Sequence, residues 1–311
     1  MKIIFMGTPQ FAVPILAEIA KVHDVILVVT QPDQYHFRRK EIVFSPVKEW
    51  AVANHYPVFQ PVKIRQEYQP ILDLKADLIV TAAYGQFVGE KVLQHPRYKA
   101  INVHGSLLPK YRGGAPIQRA LMNGEDKTGI TIIYMGKKMD AGDILAKQEI
   151  DILDCDNQDT LFAKLSNLAA TMINTVLADL EQGTSIATPQ NEDEVTFAYN
   201  LTKEDEKIDF SKHARQVFNQ IRGLSSNPGG YFVIDNQTIK VYNSVVSHRH
   251  HNGDIGQIIA IDKHSFDISC GEDSSISILE IQLPSKNRMS ARDFINGQGR
   301  KMLQINKKVG E

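Results

Sequence analysis

Two polar side chains with catalytic potential stand near the end of an apolar run in the stretch AINVHG. Asn102 and His104 are two residues apart, and because side chains alternate along a strand, both would point to the same face. An amide donor and an imidazole that converge on one spot can stabilise a developing oxyanion and handle a proton. The alternative is a structural histidine beside a turn-capping asparagine, and the pair alone favours that alternative.

A carboxylate close to His104 would strengthen the catalytic interpretation. The stretch MDAGD places Asp140 and Asp143 in a glycine-containing turn between two apolar runs. A carboxylate from this turn could fix the tautomer of His104. Aspartate in such a turn is also a common turn former, so the spacing leaves both interpretations open.

Short apolar runs alternate with helical patterns through the first half of the chain. The strand-like runs are KIIFMG (2–7), DVILVVT (24–30), ADLIVTAAY (76–84) and AINVH (100–104). This alternation predicts a Rossmann-like, doubly wound, mostly parallel sheet with helices on both faces. Ligands of such sheets bind at the carboxyl ends of the strands, and Asn102 and His104 fall at such an end.

The second half of the chain has a different pattern. Residues 158–183 have the periodicity of one long helix, and the periodicity is then lost. We predict a catalytic domain over 1–189, a linker over 190–206 and a C-terminal domain over 207–311. Five short strand-like runs after Gly229 predict that this last domain is a small β-barrel, OB-like in type.

Composition and charge narrow the classes of protein further. The chain has 311 residues, of which 42% are hydrophobic and 23% charged, as in an ordinary globular protein. The net charge of −1 argues against a general nucleic-acid binder, but residues 207–311 carry +4 and residues 1–206 carry −5. This asymmetry is a weak hint of a polyanionic partner for the C-terminal domain.

Several localisations and chemistries are disfavoured by the sequence. Its two cysteines match no metal spacing and fit a reducing cytosol. The first apolar run is too short for a signal peptide, and we expect no segment of transmembrane length. The dinucleotide, Walker A and serine-hydrolase motifs are absent. We therefore expect a cytoplasmic protein without a bound metal.

The order and spacing of eight motifs resemble the methionyl-tRNA formyltransferase family over nearly the whole chain. The motifs are MGTPQFAVP, TQPD, SPVK, NVHGSLLPKYRGGAPIQRAL, TGITIIYM, MDAGDIL, LTKEDEKIDF and RQVFNQIRGL. The resemblance implies the formyltransferase fold and an enzyme of translation initiation. Such an enzyme transfers the formyl group of 10-formyltetrahydrofolate, a co-substrate, to the α-amine of methionine on initiator tRNA.

The resemblance also implies roles for individual residues. It makes Asn102, His104 and Asp140 catalytic. It assigns folate binding to Leu108, Pro109, Lys110 and Tyr111, and it implies that Arg38 and its loop bind the tRNA acceptor stem. By their charge alone, Arg38, Arg39 and Lys40 could contact phosphates or could belong to an ordinary solvated loop. The last three lie in a long loop, 31–48, which lacks both glycines of the family's usual pattern between Gln34 and Glu41.

Three other functions stay open on the sequence alone. A formyltransferase for a sugar nucleotide or a small amine would keep the same three catalytic residues without needing the basic loop. A folate-binding hydrolase would release formate and need no acceptor. A tRNA-binding module without catalysis would not need the Asn-x-His pair. No pattern indicates assembly, and we expect a monomer.

Overall fold

A computed structural model describes residues 1–36, 40–251 and 253–310 of the chain. The contacts divide the chain into two compact units. The first comprises 1–116, 127–151 and 162–199, and the second comprises 117–126, 152–161 and 200–311. Each unit is made of three separate ranges, so this division does not test the predicted boundaries. The end of the catalytic domain at 189 and the end of the linker at 206 stay predictions.

The described residues form the following elements. The strands are β1 (Lys2–Gly7), β2 (Asp24–Val29), β3 (Gln34–His36), β4 (Glu41–Val43), β5 (Val58–Phe59), β6 (Leu78–Ala82), β7 (Ala100–His104), β8 (Lys127–Tyr134), β9 (Ile144–Asp151), β10 (Gly230–Ile234), β11 (Gln237–Val246), β12 (Ile258–Ile261), β13 (Phe266–Cys270), β14 (Ser274–Gln282) and β15 (Met289–Ser290). The α-helices are α1 (Ala12–Val22), α2 (Pro46–Ala53), α3 (Gln69–Leu72), α4 (Glu90–Leu93), α5 (Pro116–Asn123), α6 (Gln158–Gln182), α7 (Lys203–Glu206), α8 (Ala214–Leu224), α9 (Ala291–Asn296) and α10 (Gly299–Met302).

The first unit is built on one seven-stranded sheet in the order β5-β2-β1-β6-β7-β8-β9. The strands from β5 to β7 pair in parallel, whereas β8 and β9 are antiparallel to their neighbours. The central strands are apolar and almost fully buried, as strands covered on both faces must be. The prediction of a mostly parallel, doubly wound sheet is confirmed.

A local signal explains where α2 begins. Ser45 caps α2 by accepting a hydrogen bond from the Lys48 N–H at 3.1 Å, and Pro46 occupies the first turn.

Helix α6 is long and apolar enough to cross a membrane by length and composition, contrary to our expectation. This is weak evidence by itself, because core helices have the same composition, and this helix buries an apolar stripe. The stripe within the first unit is Leu165, Ala169, Met172, Ile173, Val176, Leu177 and Leu180.

The segment predicted as a long loop between β2 and α2 contains a small hairpin. Strands β3 and β4 pair in an antiparallel two-stranded sheet, with Tyr35 opposite Ile42. Both side chains are more than half exposed. Lys40 lies in the turn of the hairpin at a φ of 52°, and it is exposed.

The second unit is built on a six-stranded antiparallel sheet in the order β10-β11-β14-β13-β12, with β15 added beside β14. Helix α8 contributes buried Val217 and Ile221 to the core of this sheet. The C-terminal segment binds both edge strands: Ile258 N–H on β12 donates to Lys307 O at 2.9 Å, and Gly310 N–H donates to Val233 O on β10 at 2.7 Å. Where a small OB-like β-barrel was predicted, the structure has a C-terminal domain built on an antiparallel sheet, and the C-terminal segment contacts both edge strands of that sheet.

Candidate active site

Three side chains predicted to be catalytic meet at one point of the first unit. Asn102 and His104 lie on β7, and Asp140 lies in the turn between β8 and β9. Asn102 Nδ2 is 3.5 Å from Asp140 Oδ1, and His104 Nδ1 is 3.7 Å from Asp140 Oδ2. The side chains of His104 and Asp140 are only 6% and 14% exposed, so their charges interact with little screening by water.

A residue that sequence analysis missed orients the amide of Asn102. Thr81 Oγ1, on the neighbouring strand β6, donates a hydrogen bond to Asn102 Oδ1 at 2.7 Å. Because the amide oxygen is held there, the Nδ2 donor must point the other way, towards Asp140. The available signal was a threonine inside the otherwise apolar strand LIVTA.

The ring of His104 is held by a backbone carbonyl. His104 Nε2 lies 2.9 Å from Tyr111 O, and since a carbonyl only accepts, Nε2 carries a proton. In the neutral ring Nδ1 then carries a lone pair, which faces the carboxylate of Asp140. Two acceptors in this position repel each other unless a proton lies between them. The arrangement therefore places the imidazole and the carboxylate where a proton can pass between them during a reaction.

A backbone N–H fixes the carboxylate of Asp140. Gly113 N–H donates to Asp140 Oδ2 at 2.9 Å. Gly113 has a φ of +131°, and a Cβ there would lie 2.5 Å from Ala198 O, so only glycine fits. Asp140 itself has a φ of 51°, which is strained for a residue with a side chain.

Gln190 and Arg112 support the same turn. Gln190 Nε2 donates to the carbonyls of Asp140 and Gly142 at 2.8 Å each, and Gln190 Oε1 accepts from Arg112 Nη2 at 2.8 Å. Arg112 also donates to Glu192 Oε1 at 2.9 Å, and this hydrogen bond holds the pKa of Glu192 below its usual range. Sequence analysis missed Gln190 because it falls at the start of the predicted linker, and it gave Arg112 no role although that residue lies in the motif that follows His104.

The carboxyl ends of three more strands lie close together. Thr8 follows β1, Gln31 follows β2 and Tyr84 follows β6. Thr8 Oγ1 donates to Tyr84 O at 2.9 Å, and Gln31 Nε2 donates to the same carbonyl at 3.1 Å. Burial raises the pKa of the Tyr84 phenol to about 12. These contacts define the crevice expected at the carboxyl ends of a parallel sheet.

The segment predicted to bind folate is anchored firmly in the first unit. Leu108 is fully buried, and its N–H donates to Thr131 Oγ1 at 3.1 Å. Tyr111 is 9% exposed, and its N–H donates to Thr196 Oγ1 at 2.9 Å. Lys110 is exposed. The side chain of Leu108 therefore belongs to the core, and that of Lys110 is accessible to a ligand.

Of the three residues predicted to bind tRNA, Arg38 and Arg39 lie outside the described residues. Lys40 is described, and it is exposed in the turn of the β3–β4 hairpin. Within the described part of the chain, no group of three or more histidine, cysteine, aspartate or glutamate side chains could hold a metal ion.

The fold is that of an α/β protein in which an amide, an imidazole and a carboxylate meet near the end of a sheet strand, an arrangement suited to acyl-group transfer. Comparison with family models agrees: residues 1–177 match the formyl transferase model, and residues 200–299 match the formyl transferase C-terminal domain model.

The curated relatives give the particular family. The methionyl-tRNA formyltransferase of Listeria monocytogenes is 44% identical over 97% of this chain and 97% of its own length. That of Staphylococcus aureus is 44% identical over 95% of this chain and 96% of its own. The chain belongs to the methionyl-tRNA formyltransferase family and is a formyl-transferring enzyme.

Solved structures share the fold at low sequence identity. Aquifex aeolicus HypX in complex with tetrahydrofolic acid matches with a TM-score of 0.67 and 16% identity, over 97% of this chain. The chain spans about half the length of that protein, since 48% of it is covered. An N-formyltransferase from Helicobacter canadensis matches with a TM-score of 0.69 and 20% identity, over 91% of this chain and all of its own length.

Proposed function

We propose that this protein transfers the formyl group of 10-formyltetrahydrofolate to the α-amine of methionine on initiator tRNA. The observation that carries the proposal is the joint presence of two features. The chain is 44% identical to methionyl-tRNA formyltransferases over 97% of its length, and Asn102, His104 and Asp140 converge in its first unit. The folate donor is further supported by the tetrahydrofolic acid and folinic acid bound in two structures of the same fold.

Asn102, His104 and Asp140 are assigned the catalytic roles. The neutral amine attacks the formyl carbon, and the carbonyl oxygen becomes an oxyanion that the Asn102 Nδ2 donor can stabilise. The amine nitrogen then loses a proton, and folate N10 gains one as its bond to the formyl carbon breaks. The pair of His104 and Asp140 can accept the first proton and supply the second, so the reaction needs no net proton.

The remaining assignments concern the two substrates. Leu108, Pro109, Lys110 and Tyr111 are assigned to the folate site. Lys110 can contact a ligand through its exposed side chain, whereas Leu108 can shape the site only through the backbone that it anchors.

The tRNA acceptor stem is assigned to the segment around the β3–β4 hairpin. Arg38, Arg39 and Lys40 supply three consecutive positive charges there, and cationic side chains of this kind bind phosphates. A reaction on charged tRNA takes place in the cytoplasm, and we expect the protein to act there as a monomer.

The test is a transfer assay with labelled 10-formyltetrahydrofolate. Initiator Met-tRNA, elongator Met-tRNA, an amino-sugar nucleotide and buffer alone are offered in parallel. Rapid formylation of the initiator species with slow transfer to the other acceptors is the expected result. Preferred labelling of the amino sugar would indicate the alternative acceptor, and formate released in buffer alone would indicate a hydrolase.

A further inference from the structure

We propose that Gln190 is a positioning residue that sets the orientation of Asp140 for formyl transfer. The catalytic part of this inference rests on the proposed function. Gln190 is the first residue of the predicted linker, yet it belongs to the first unit. Through its side chain, a segment far away in the sequence controls the turn that carries the catalytic carboxylate.

The amide of Gln190 can bind in only one orientation. Its Oε1 accepts hydrogen bonds from Arg112 Nε at 3.1 Å and from Arg112 Nη2 at 2.8 Å. Arginine only donates, so the amide oxygen must face it. Nε2 then points to the other side, where the carbonyls of Asp140 and Gly142 lie at 2.8 Å each. Both amide protons are used, and each has a partner that only accepts.

Arg112 makes this arrangement rigid. Arg112 is only 3% exposed, and a buried guanidinium needs hydrogen-bond partners. Its backbone is also fixed, because Arg112 N–H donates to Thr196 O at 2.9 Å and Arg112 O accepts from Ala198 N–H at 2.7 Å. The segment 190–198 is therefore held against the stretch that follows His104, and Gln190 links that stretch to the turn of Asp140.

The turn needs such a link because its conformation is strained. Asp140 has a φ of 51°, in the left-handed region that residues other than glycine adopt at some energetic cost. Gly142 allows the turn to pass close to β8: a Cβ at this position would lie 1.7 Å from Tyr134 O. Without the two hydrogen bonds from Gln190, the turn can relax, and the carboxylate moves relative to His104 and Asn102.

The decisive variant is Gln190→Glu. It keeps the shape of the side chain and the bonds from Arg112, but it places an acceptor against the carbonyls of Asp140 and Gly142. We expect kcat to fall by about 10- to 100-fold, the range that a displacement near 1 Å can cost. The KM values for the folate donor and for Met-tRNA should stay close to those of the parent. The matched control is Asn191→Ala, which changes the adjacent residue of the same segment. Asn191 Oδ1 accepts from Asp193 N–H at 3.2 Å and Nδ2 donates to Glu194 Oε1 at 3.0 Å, so both bonds stay within the segment and away from the turn of Asp140.

A second measurement keeps the inference testable without activity. Amide hydrogen exchange of the segment 136–144, followed by mass spectrometry, should be faster in Gln190→Glu than in the parent and in Asn191→Ala. A parent protein that transfers no formyl group would contradict the proposed function but leave this measurement valid. Unchanged exchange in Gln190→Glu would overturn the inference. If the parent does transfer formyl, a kcat of Gln190→Glu equal to that of the parent would overturn it too. A KM that rises while kcat is kept would also overturn it.

Discussion

Nδ1 of His104 lies 3.7 Å from Oδ2 of Asp140, while the opposite nitrogen of the same ring is bound to the carbonyl of Tyr111. The carbonyl fixes the tautomer, and the tautomer leaves a lone pair facing the carboxylate. The imidazole and the carboxylate thus face each other beside the amide of Asn102. Such a pair suits a reaction in which one proton leaves an amine and another reaches a leaving nitrogen.

Asp140→Asn tests whether this pair moves protons. The amide oxygen of asparagine can still accept the Gly113 N–H, so the turn should keep its structure, but the amide cannot take up a proton and its NH2 replaces the oxygen that faces Asn102 Nδ2. We expect kcat to fall by about 100- to 10,000-fold, with the KM for Met-tRNA changed little. Steady-state kinetics with each substrate in turn measures both values. A turnover near that of the parent would remove Asp140 from the proton transfers.

Thr81 is expected to act on catalysis through Asn102. Thr81→Val keeps the branched shape and removes the hydroxyl that donates to Asn102 Oδ1, so the amide can rotate and lose its alignment. We expect kcat to fall by about 10-fold, less than the loss of an entire oxyanion donor. Thr81→Ser keeps the hydroxyl and serves as the control. Equal rates for the valine and serine variants would argue that Thr81 only fills space.

The sequence predicted the elements with local signals and missed the contacts that depend on folding. Apolar runs gave the strands, and Ser45 with Pro46 gave the start of α2, because capping is decided within a few residues. Strand alternation placed Asn102 and His104 on one face, and the family resemblance then favoured a catalytic role for them. Gln190 could not be identified in this way, because its partners Asp140 and Arg112 are about 50 and 80 residues away in the sequence. A glutamine among turn-forming residues has the same local pattern whether or not it reaches a catalytic turn.

The two cysteines should differ sharply in reactivity. Cys155 is exposed, whereas Cys270 is fully buried on β13, and burial raises the pKa of its thiol to about 12. At pH 8 only about one Cys270 side chain in ten thousand would be thiolate, the reactive form. A disulfide reagent should therefore label one thiol quickly in the native protein and two after denaturation. Cys155→Ser should abolish the fast phase, and a fast phase that persists in this variant would contradict the assignment.

The ion pair between Arg119 and Asp205 should make the stability of the second unit depend on pH. The guanidinium donates to both carboxylate oxygens, at 2.6 and 2.7 Å, and these bonds hold the pKa of Asp205 below its usual range. A depressed carboxyl pKa stabilises the fold above the unfolded-state pKa, and this stabilisation is lost as the pH falls through the folded-state value. Asp205→Asn should lower the free energy of unfolding by about 1 kcal/mol at pH 7.

Urea unfolding of parent and Asp205→Asn protein at pH 7, 5 and 3 measures that pH dependence. The difference between the two proteins should be constant from pH 7 to 5 and shrink at pH 3, where the parent carboxylate is increasingly protonated. Arg119→Gln should reproduce the loss, and the double variant should add little to either single one. A difference that stays the same at pH 3 would mean that the ion pair does not cause it.

The basic residues Arg38, Arg39 and Lys40 should determine the salt dependence of tRNA binding. Each phosphate contact releases counterions, so removing one contact should reduce the slope of log K against log salt by about 1. Alanine at each position should raise the KM for Met-tRNA and leave the KM for the folate donor unchanged. Lys75→Ala is the matched control, because Lys75 is exposed but precedes β6, at the amino end of that strand and away from the crevice. An unchanged slope in all three loop variants would place the acceptor stem elsewhere on the protein.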